Sequence, residues 1–367
     1  MLPPLFDRFR IVRKPLAQRT NRVTVARDLV EPTQAPHPLS AAASAAVAEV
    51  AVWLRDARAS KRPAILATGA HAIKNGLAPV LVALMEKGWI THLATNGAGI
   101  IHDWELAWLG ETSEHVQRNI EKGEFGTWEE TGFHINLALA VGAFEGCGYG
   151  ESVGKMIETE GLDIPASETL ESIARTALAS DPARAAAAAD LLGIVRRFSL
   201  KPGRLEIPHR WKPTSVQAAA FRLGVPFTSH PMFGHDIIYT HPMSCGAAIG
   251  RAAERDFLAF VASVSALEGG VYLSIGSAVM SPMIFEKALS MARNVARQEG
   301  RSLVRHRIAV VDLAKSAWDW TRGEPSEDHP DYYLRFNKSF HRMGGTLRYL
   351  SLDNRDFLLA LWRTLEE

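Results

Sequence analysis

This sequence has few cysteines, no long apolar run and almost no excess of either charge. Its 367 residues contain 2 cysteines, Cys147 and Cys245, which exclude a disulfide framework and fit a reducing compartment. No apolar run approaches the length of a membrane span, and the opening MLPPLFDRFR lacks the apolar core of a signal peptide. The 41 basic and 40 acidic residues nearly cancel, so charge indicates neither a nucleic-acid nor a membrane partner. We expect a cytoplasmic protein.

What the chain does contain is a regular alternation of strand and helix patterns. The stretch 65–105 begins with the apolar run ILATG, continues with helical spacing from His71 to Lys87, and reaches a second strand, THLAT. Four later runs, VPFTS, GVYLSIG, RIAVVDLA and GTLRYLSL, also read as strands and are followed or preceded by helical patterns. Strands joined by crossover helices are parallel. The sequence therefore predicts an α/β fold with a doubly wound, mainly parallel sheet.

The predicted organisation is an arm followed by one large domain. Residues 1–38 are basic and irregular, and the arm either packs over the domain or a neighbouring subunit, or touches a partner or an acidic substrate. Residues 39–367 form a single α/β domain, within which 133–198 reads as a run of helices, a helical insert.

Two glycine-containing turns end predicted strands and precede helices. Ligands bind beyond the carboxyl ends of parallel strands, and small residues there let a phosphate approach backbone N–H groups. Glycine in such turns also serves packing alone, and no full G-x-G-x-x-G is present. The pattern favours a nucleotide site, whose predicted residues are Thr95, Asn96, Gly97, Gly99, Gly276, Ser277 and Ala278.

The densest polar cluster is SHPMFGHDIIYTHPMSC. It holds His230, His235, Asp236, His241 and Cys245, which would line the mouth of a site beyond VPFTS. These residue types also bind zinc, but their spacing matches no zinc signature, so we predict no metal. The alternative is that the histidines satisfy backbone groups in a buried loop.

Two further stretches suggest acidic or basic chemistry. His102-Asp103 resembles a metal-binding HD pair, and Asp103 could equally be an acid near a helix start. The segment WDWTRGEPSEDHPDYYLRFNKSF is irregular, and its tryptophans and carboxylates, including Asp319, suit a cationic, partly apolar ligand. Lys338 lies near Phe336, where desolvation would favour a nucleophilic amine, and a plain surface lysine is the alternative.

These stretches, in this order, resemble the deoxyhypusine synthase family from about Pro63 to the C-terminus. The similarity departs from the family pattern in four places. His102 stands where an acid is usual, His230-Pro231 where an aspartate is expected, Pro282-Met283 replaces a histidine and Phe336 replaces a tryptophan. The matching segments are HAIKNG, NGAGIIHD with Asp103, HDIIYTH with Asp236, Tyr239 and His241, GSA at Gly276, Phe336-Asn337-Lys338, and Asp353 before the last helix.

The resemblance implies a Rossmann-like sheet that binds NAD, and a homotetramer. Members of the family oxidise a polyamine and pass its aminobutyl group, through a lysine imine, to an acceptor amine or protein lysine. The resemblance places the imine on Lys338 and an amine anchor at Asp236, with His241 in the catalytic set. The expected substrate-binding residues are Asp103, His235, Asp319 and Phe336.

Two other functions stay open at this stage. The first is an enzyme of the same fold with different chemistry, metal-assisted through His230, His235 and His241. The second is a nucleotide-binding module that kept the sheet and lost the reaction.

Overall fold

The computed structural model describes residues 3–367, apart from the side chains of residues 333 and 335. The chain forms two compact units. The helical unit comprises residues 3–27, Ile100–Phe221 and Pro231–Asp256, and the sheet unit comprises Asp28–Gly99, Arg222–His230 and Phe257–Glu367.

The α-helices and strands alternate along most of the chain. The helices are α1 Val25–Asp28, α2 Ala41–Ala59, α3 Ala70–Lys74, α4 Ala78–Glu86, α5 Gly97–Leu109, α6 Val116–Glu121, α7 Glu129–Glu145, α8 Tyr149–Thr159, α9 Ser167–Thr176, α10 Pro182–Arg197, α11 Val216–Leu223, α12 Gly246–Ser265, α13 Met280–Gln298, α14 Arg335–Arg342 and α15 Asn354–Glu366. The strands are β1 Asn21–Thr24, β2 Ala64–Thr68, β3 His92–Thr95, β4 Glu111–Glu114, β5 Gly161–Ile164, β6 Gly203–Glu206, β7 Phe227–Ser229, β8 Val271–Ile275, β9 Arg307–Asp312 and β10 Thr346–Ser351. Within residues 3–367, no helix is long and apolar enough to cross a membrane.

The sheet unit is built on six strands in the order β7-β3-β2-β8-β9-β10. Every neighbouring pair is parallel, and these six are the strands expected from the apolar runs. In chain order, β3 and then β7 follow on one side of β2, and β8, β9 and β10 then follow on its other side. The prediction of a parallel α/β sheet is confirmed.

Helices cover both faces of this sheet. Alternate strand residues, among them Ile65, Tyr272 and Ile308, join one core with Phe260 of α12 and Phe285 of α13. Helices α2 and α15 pack on each other and on strands β2, β8, β9 and β10 without contributing to that core. Because strand side chains alternate between faces, the sheet is doubly wound, as expected.

Several predicted helix boundaries are wrong. The helix expected over His71–Lys87 is broken into α3 and α4 at Gly76, whose φ of 80° favours glycine and whose α-carbon lies against the Asp28 carbonyl. Lys338 belongs to helix α14 and not to an irregular segment.

The helical unit contains the whole of the predicted insert. Residues 133–198 contain α8, α9, α10 and all but the first turn of α7, but they also contain β5, which pairs antiparallel with β6. Strand β5 was missed because GLDI is short and its partner lies outside the insert. The boundaries at 38/39 and 133–198 stay predictions.

Residues 3–27 of the arm belong to the helical unit, and residues 28–38 belong to the sheet unit. Strand β1 pairs antiparallel with β4. Arg19 is buried and its two terminal nitrogens donate to the two carboxylate oxygens of Glu105, at 2.9 and 2.5 Å. Burial alone would raise the pKa of Glu105, but the charge and hydrogen bonds of Arg19 outweigh it and the pKa is lowered. The ion pair fastens the arm to α5. Residues 1 and 2 of the arm lie outside the described residues.

We expect Arg19→Ala to destabilise the protein by about 3–5 kcal/mol, because it leaves the buried Glu105 carboxylate without its counter-charge. Thermal unfolding of Arg19→Ala should be compared with that of Arg22→Ala, which removes an exposed arginine of the same arm. Equal stability losses in the two variants would contradict the structural role of the ion pair.

Candidate functional site

The carboxyl ends of the six parallel strands share one edge of the sheet unit. At this edge the strand order reverses between β2 and β8, since β3 and β7 lie on one side and β9 and β10 on the other. Numbered along the chain, the order is 3-2-1-4-5-6, which is that of dinucleotide-binding domains. Ligands of open parallel sheets bind in the crevice at such a reversal.

Two glycines touch at this reversal. Gly69 follows β2, and a β-carbon added to it would stand 2.7 Å from the carbonyl oxygen of Gly276, which follows β8. Gly276 has a φ of 56°, and the Asn354 side chain occupies the place where its own β-carbon would lie. Gly276 was among the predicted residues, whereas Gly69 was not. Its signal was present as the small residue that ends ILATG.

The turn after β3 forms the start of helix α5. Asn96 precedes the helix, and its Oδ1 accepts from the backbone N–H of Gly99 at 3.0 Å. A side chain at Gly99 would collide with Thr95, so the close fit of the helix start on β3 requires glycine. The buried Oγ1 of Thr95 has no hydrogen-bond partner among residues 3–367. This helix end offers backbone N–H groups and a partial positive charge to an anion.

The remaining predicted cofactor residues follow β8. Ser277 is buried and its Oγ accepts from the backbone N–H of Ser281 at 3.1 Å, which caps the start of α13. Ala278 is exposed. Because β2 pairs with both β3 and β8, the sheet brings the two predicted turns to either side of Gly69.

A second set of polar atoms lies in the helical unit around Asp236. Its Oδ2, the hydroxyl of Tyr149 and the hydroxyl of Tyr239 are buried and have no hydrogen-bond partner in the part of the chain that is described. Burial raises the pKa of Asp236 to about 7. Burial, and then the charge of Asp236, raise the pKa of both phenols, so the three groups act on one another. We call them the acid–phenol cluster.

The backbone under this cluster is held from two sides. Asn136 of α7 donates its amide to the carbonyl of Ile238 at 2.9 Å, and Arg8 donates to the carbonyl of Tyr239 at 3.1 Å. Tyr149 is the first residue of α8 and is fully buried. It was missed in the sequence because no motif surrounds it.

The chemistry of the cluster favours a small cation. It supplies a carboxylate and two phenols and no basic group, and an unpaired buried polar group costs roughly 1–3 kcal/mol. An ammonium group would donate to these oxygens and lower the pKa of Asp236.

Two predicted residues have their hydrogen bonds filled by the protein itself. Asp103 is fully buried and caps helix α11, accepting from the Ser215 hydroxyl at 2.6 Å and from the backbone N–H groups of Val216 and Gln217. His241 is buried, its Nδ1 accepting from the Met243 N–H at 3.0 Å and its Nε2 lying 3.3 Å from Glu129. These hydrogen bonds give both residues structural roles, and the substrate-binding role of Asp103 and the catalytic role of His241 stay predictions.

The other three predicted substrate residues differ in their surroundings. His235 is exposed. Asp319 is exposed and its carboxylate accepts from the N–H and hydroxyl of Thr321. Phe336 is buried against Tyr349, with ring centroids 6.1 Å apart. A substrate role for these three residues stays a prediction.

Lys338 has the contacts of a charged lysine. Its ammonium lies 3.6 Å from the centre of the Tyr332 ring and 3.8 Å from a Glu324 carboxylate oxygen. Both are contacts that stabilise a cation. Lys338 belongs to the sheet unit, whereas Asp236 and His241 belong to the helical unit.

Two other features do not provide a site. Among residues 3–367, no three His, Cys, Asp or Glu side chains are grouped to hold a metal ion, His230, His235 and His241 included. A groove of about 730 Å³ runs along α13 and α14 and does not include the strand ends. Two arginines that line it are already engaged, Arg293 by backbone carbonyls and Arg342 by Glu324.

Comparisons with known proteins found similarity in structure alone. No family model matches the sequence, and no curated protein matches it. Among solved structures, the chain is similar to the complex of AgrE with ornithine and NAD+, at a TM-score of 0.44 and 13% identity over 90% of this chain and 34% of AgrE. It is also similar to a putative LOR/SDH protein from Methanococcus maripaludis S2, at a TM-score of 0.45 and 12% identity over 92% of this chain and 72% of that one. The chain thus spans about a third of the length of AgrE.

The acid–phenol cluster predicts a pH-dependent stability. Folding raises the pKa of Asp236 from 3.8 to about 7, so ionising it in the folded protein costs stability, increasingly as pH rises from 4 to 7. Asp236→Asn removes this cost. We expect it to melt at a higher temperature than the parent at about pH 8, with the gain shrinking towards pH 5. The exposed Asp319→Asn should show no such gain, and a gain for Asp236→Asn that is independent of pH would contradict the raised pKa.

Proposed function

We propose that this protein is an NAD-dependent enzyme that oxidises a small amine. The sheet unit would bind the dinucleotide at its carboxyl edge. The helical unit, taken by itself, offers the acid–phenol cluster as a place for an ammonium group. The observation that carries the proposal is the strand order 3-2-1-4-5-6 with Gly69 against Gly276 at the reversal. Bare backbone at that point is what a pyrophosphate needs for close approach.

The roles of the residues follow from their positions. The N–H groups of Gly97 and Ala98 at the start of α5 would hold phosphate oxygens, and Gly69 and Gly276 would present bare backbone to the dinucleotide. Bound NAD would supply the hydride acceptor. Asp236 would hold the substrate ammonium, and the hydroxyls of Tyr149 and Tyr239 would orient it.

Gly69→Ala tests the dinucleotide site. The backbone of Gly69 has φ −76° and tolerates alanine, so the effect of the variant comes from the contact between the added methyl and the Gly276 carbonyl. We expect calorimetry to show NAD binding weakened about tenfold or more, which is about 1.4 kcal/mol. Gly193→Ala is the matched control, because a β-carbon there meets nothing within 4 Å. Unchanged NAD affinity in Gly69→Ala would contradict a dinucleotide site at Gly69.

The finer proposal is an aminobutyl-type transfer like that of deoxyhypusine synthase, from a polyamine through an imine on Lys338 to an acceptor amine. It is supported by the sequence resemblance at Phe336-Asn337-Lys338. The amine of Lys338 is in contact with the Tyr332 ring and with Glu324, so forming the imine would require those contacts to change.

Borohydride trapping distinguishes oxidation from transfer. With NAD and a panel of diamines, we expect mass spectrometry to locate the reduced adduct on Lys338. The adduct should be lost in Lys338→Ala and kept in Lys287→Ala, which removes an exposed lysine. NADH formation without an adduct on Lys338 would leave the amine oxidation standing and refute the transfer.

The homotetramer stays a prediction. The arm exposes several apolar side chains, which a second copy of the chain would cover. These are Leu5, Phe6, Phe9 and Val12.

A further inference from the structure

Four polar side chains form a continuous line of hydrogen bonds inside the sheet unit. The Ser263 hydroxyl lies 2.8 Å from Nδ1 of His92, and Nε2 of His92 lies 3.0 Å from the Thr228 hydroxyl. The same hydroxyl lies 3.1 Å from Nε2 of His230. We call Ser263, His92, Thr228 and His230 the imidazole relay.

The sheet register explains this alignment. His92 and Ala94 are two apart on β3 and share a face, and Thr228 of β7 is the partner of Ala94. His230 is two residues beyond Thr228 and falls on the same face. Its backbone N–H donates to the carbonyl of Thr95 at 2.8 Å, so the relay ends beside the start of α5.

The two ends of the relay differ in their surroundings. His92 is fully buried, whereas Ser263 on α12 is half-buried. Phe260 packs on both imidazole rings, at centroid distances of 5.6 Å from His92 and 5.3 Å from His230. This burial lowers the pKa of each histidine to about 3, so both rings are neutral at physiological pH. A neutral imidazole has one N–H and one lone pair.

Two arrangements of the protons place every proton of the line in a hydrogen bond between neighbouring members of the relay. The Thr228 hydroxyl has one proton and stands between two Nε2 atoms. If His92 donates from Nε2, Thr228 donates to His230, which then carries its proton on Nδ1, and Ser263 donates to His92. If His230 donates from Nε2, every bond reverses and His92 carries its proton on Nδ1. In both of these states the two histidines hold opposite tautomers. If Thr228 accepted from both rings, its own proton would take no part in the line of hydrogen bonds.

We propose that the imidazole relay conducts protons between the carboxyl edge of the sheet and the Ser263 side of α12. A proton accepted at Nδ1 of His230 displaces the proton on its Nε2 to Thr228. Thr228 passes its own proton to Nε2 of His92, His92 passes the Nδ1 proton to Ser263, and Ser263 releases one to water. One proton crosses, every group ends neutral, and all hydrogen bonds are reversed.

The use of this relay rests on the proposed function. Oxidation of R–CH2–NH3+ by NAD+ gives R–CH=NH2+, NADH and one proton, since the hydride leaves from carbon. His230 would accept that proton, and His92, Thr228 and Ser263 would act through His230.

The conduction is tested without cofactor or substrate. In the full chain labelled with 15N-histidine, NMR gives the tautomers of both rings and the rate at which the ring proton of His92 exchanges with water. We expect opposite tautomers and rapid exchange. Thr228→Val has nearly the same shape without the hydroxyl and should slow the exchange at least tenfold, whereas Thr228→Ser should keep the parent rate. Simple loosening of the packing would instead speed it.

Three results would overturn conduction: equal tautomers, a parent exchange rate in Thr228→Val, or slowed exchange in Thr228→Ser. Should Thr228→Val fail to fold, Ser263→Ala removes the exit and must slow the exchange for the proposal to hold. Failure of the proposed function is separate. If the protein does not bind NAD but proton exchange is slowed in Thr228→Val, the proposed function is refuted and proton conduction by the relay still holds. Turnover with an unchanged kcat and solvent isotope effect in Thr228→Val refutes the catalytic use.

Discussion

The contact between Gly69 and the Gly276 carbonyl stands at the one place where the sheet reverses its strand order. Strands β2 and β8 are neighbours in the sheet although about 200 residues separate them in the chain. A side chain at either glycine would collide, Gly69 with the Gly276 carbonyl and Gly276 with Asn354. The loops can therefore close over the strand ends only as bare backbone, and this is the feature a dinucleotide requires. The cofactor proposal follows from this packing constraint.

Hydrogen bonds distinguish two kinds of buried polar group in this protein. Some are fully bonded by the protein itself, and others are left to bind a ligand. Asp103 and Asp236 are both acids in stretches that carry the family resemblance, yet Asp103 has its oxygens filled by helix α11 while Oδ2 of Asp236 has no partner in residues 3–367. An unsatisfied buried carboxylate is costly, and a cationic ligand offsets that cost. The same reasoning gives Tyr149 a role that its sequence context does not suggest.

The six parallel strands could be predicted because each is a short apolar run ended by Gly, Ser or Asp. Their order could not, since it depends on pairings between distant segments such as β2 with β8. The Arg19–Glu105 ion pair joins residues 86 positions apart. In the local sequence Arg19 is only one of several basic residues of the arm. The two glycine-containing turns after β3 and β8 could be located because glycine has a local signature. Of the acid–phenol cluster, the sequence pointed only to Asp236 and Tyr239, because Tyr149 lies in a helix with no distinguishing pattern.

Hydrogen–deuterium exchange with and without NAD tests the central claim, that the dinucleotide binds at the reversal of the sheet. We predict protection of the peptides that contain Gly69, Gly97 to Gly99, and Gly276 to Ala278, because these turns follow the strand ends that the dinucleotide would cover. Peptides along α13 and α14, including the arginine-lined groove, should not change. Protection at that groove, with none after β2, β3 and β8, would contradict the account.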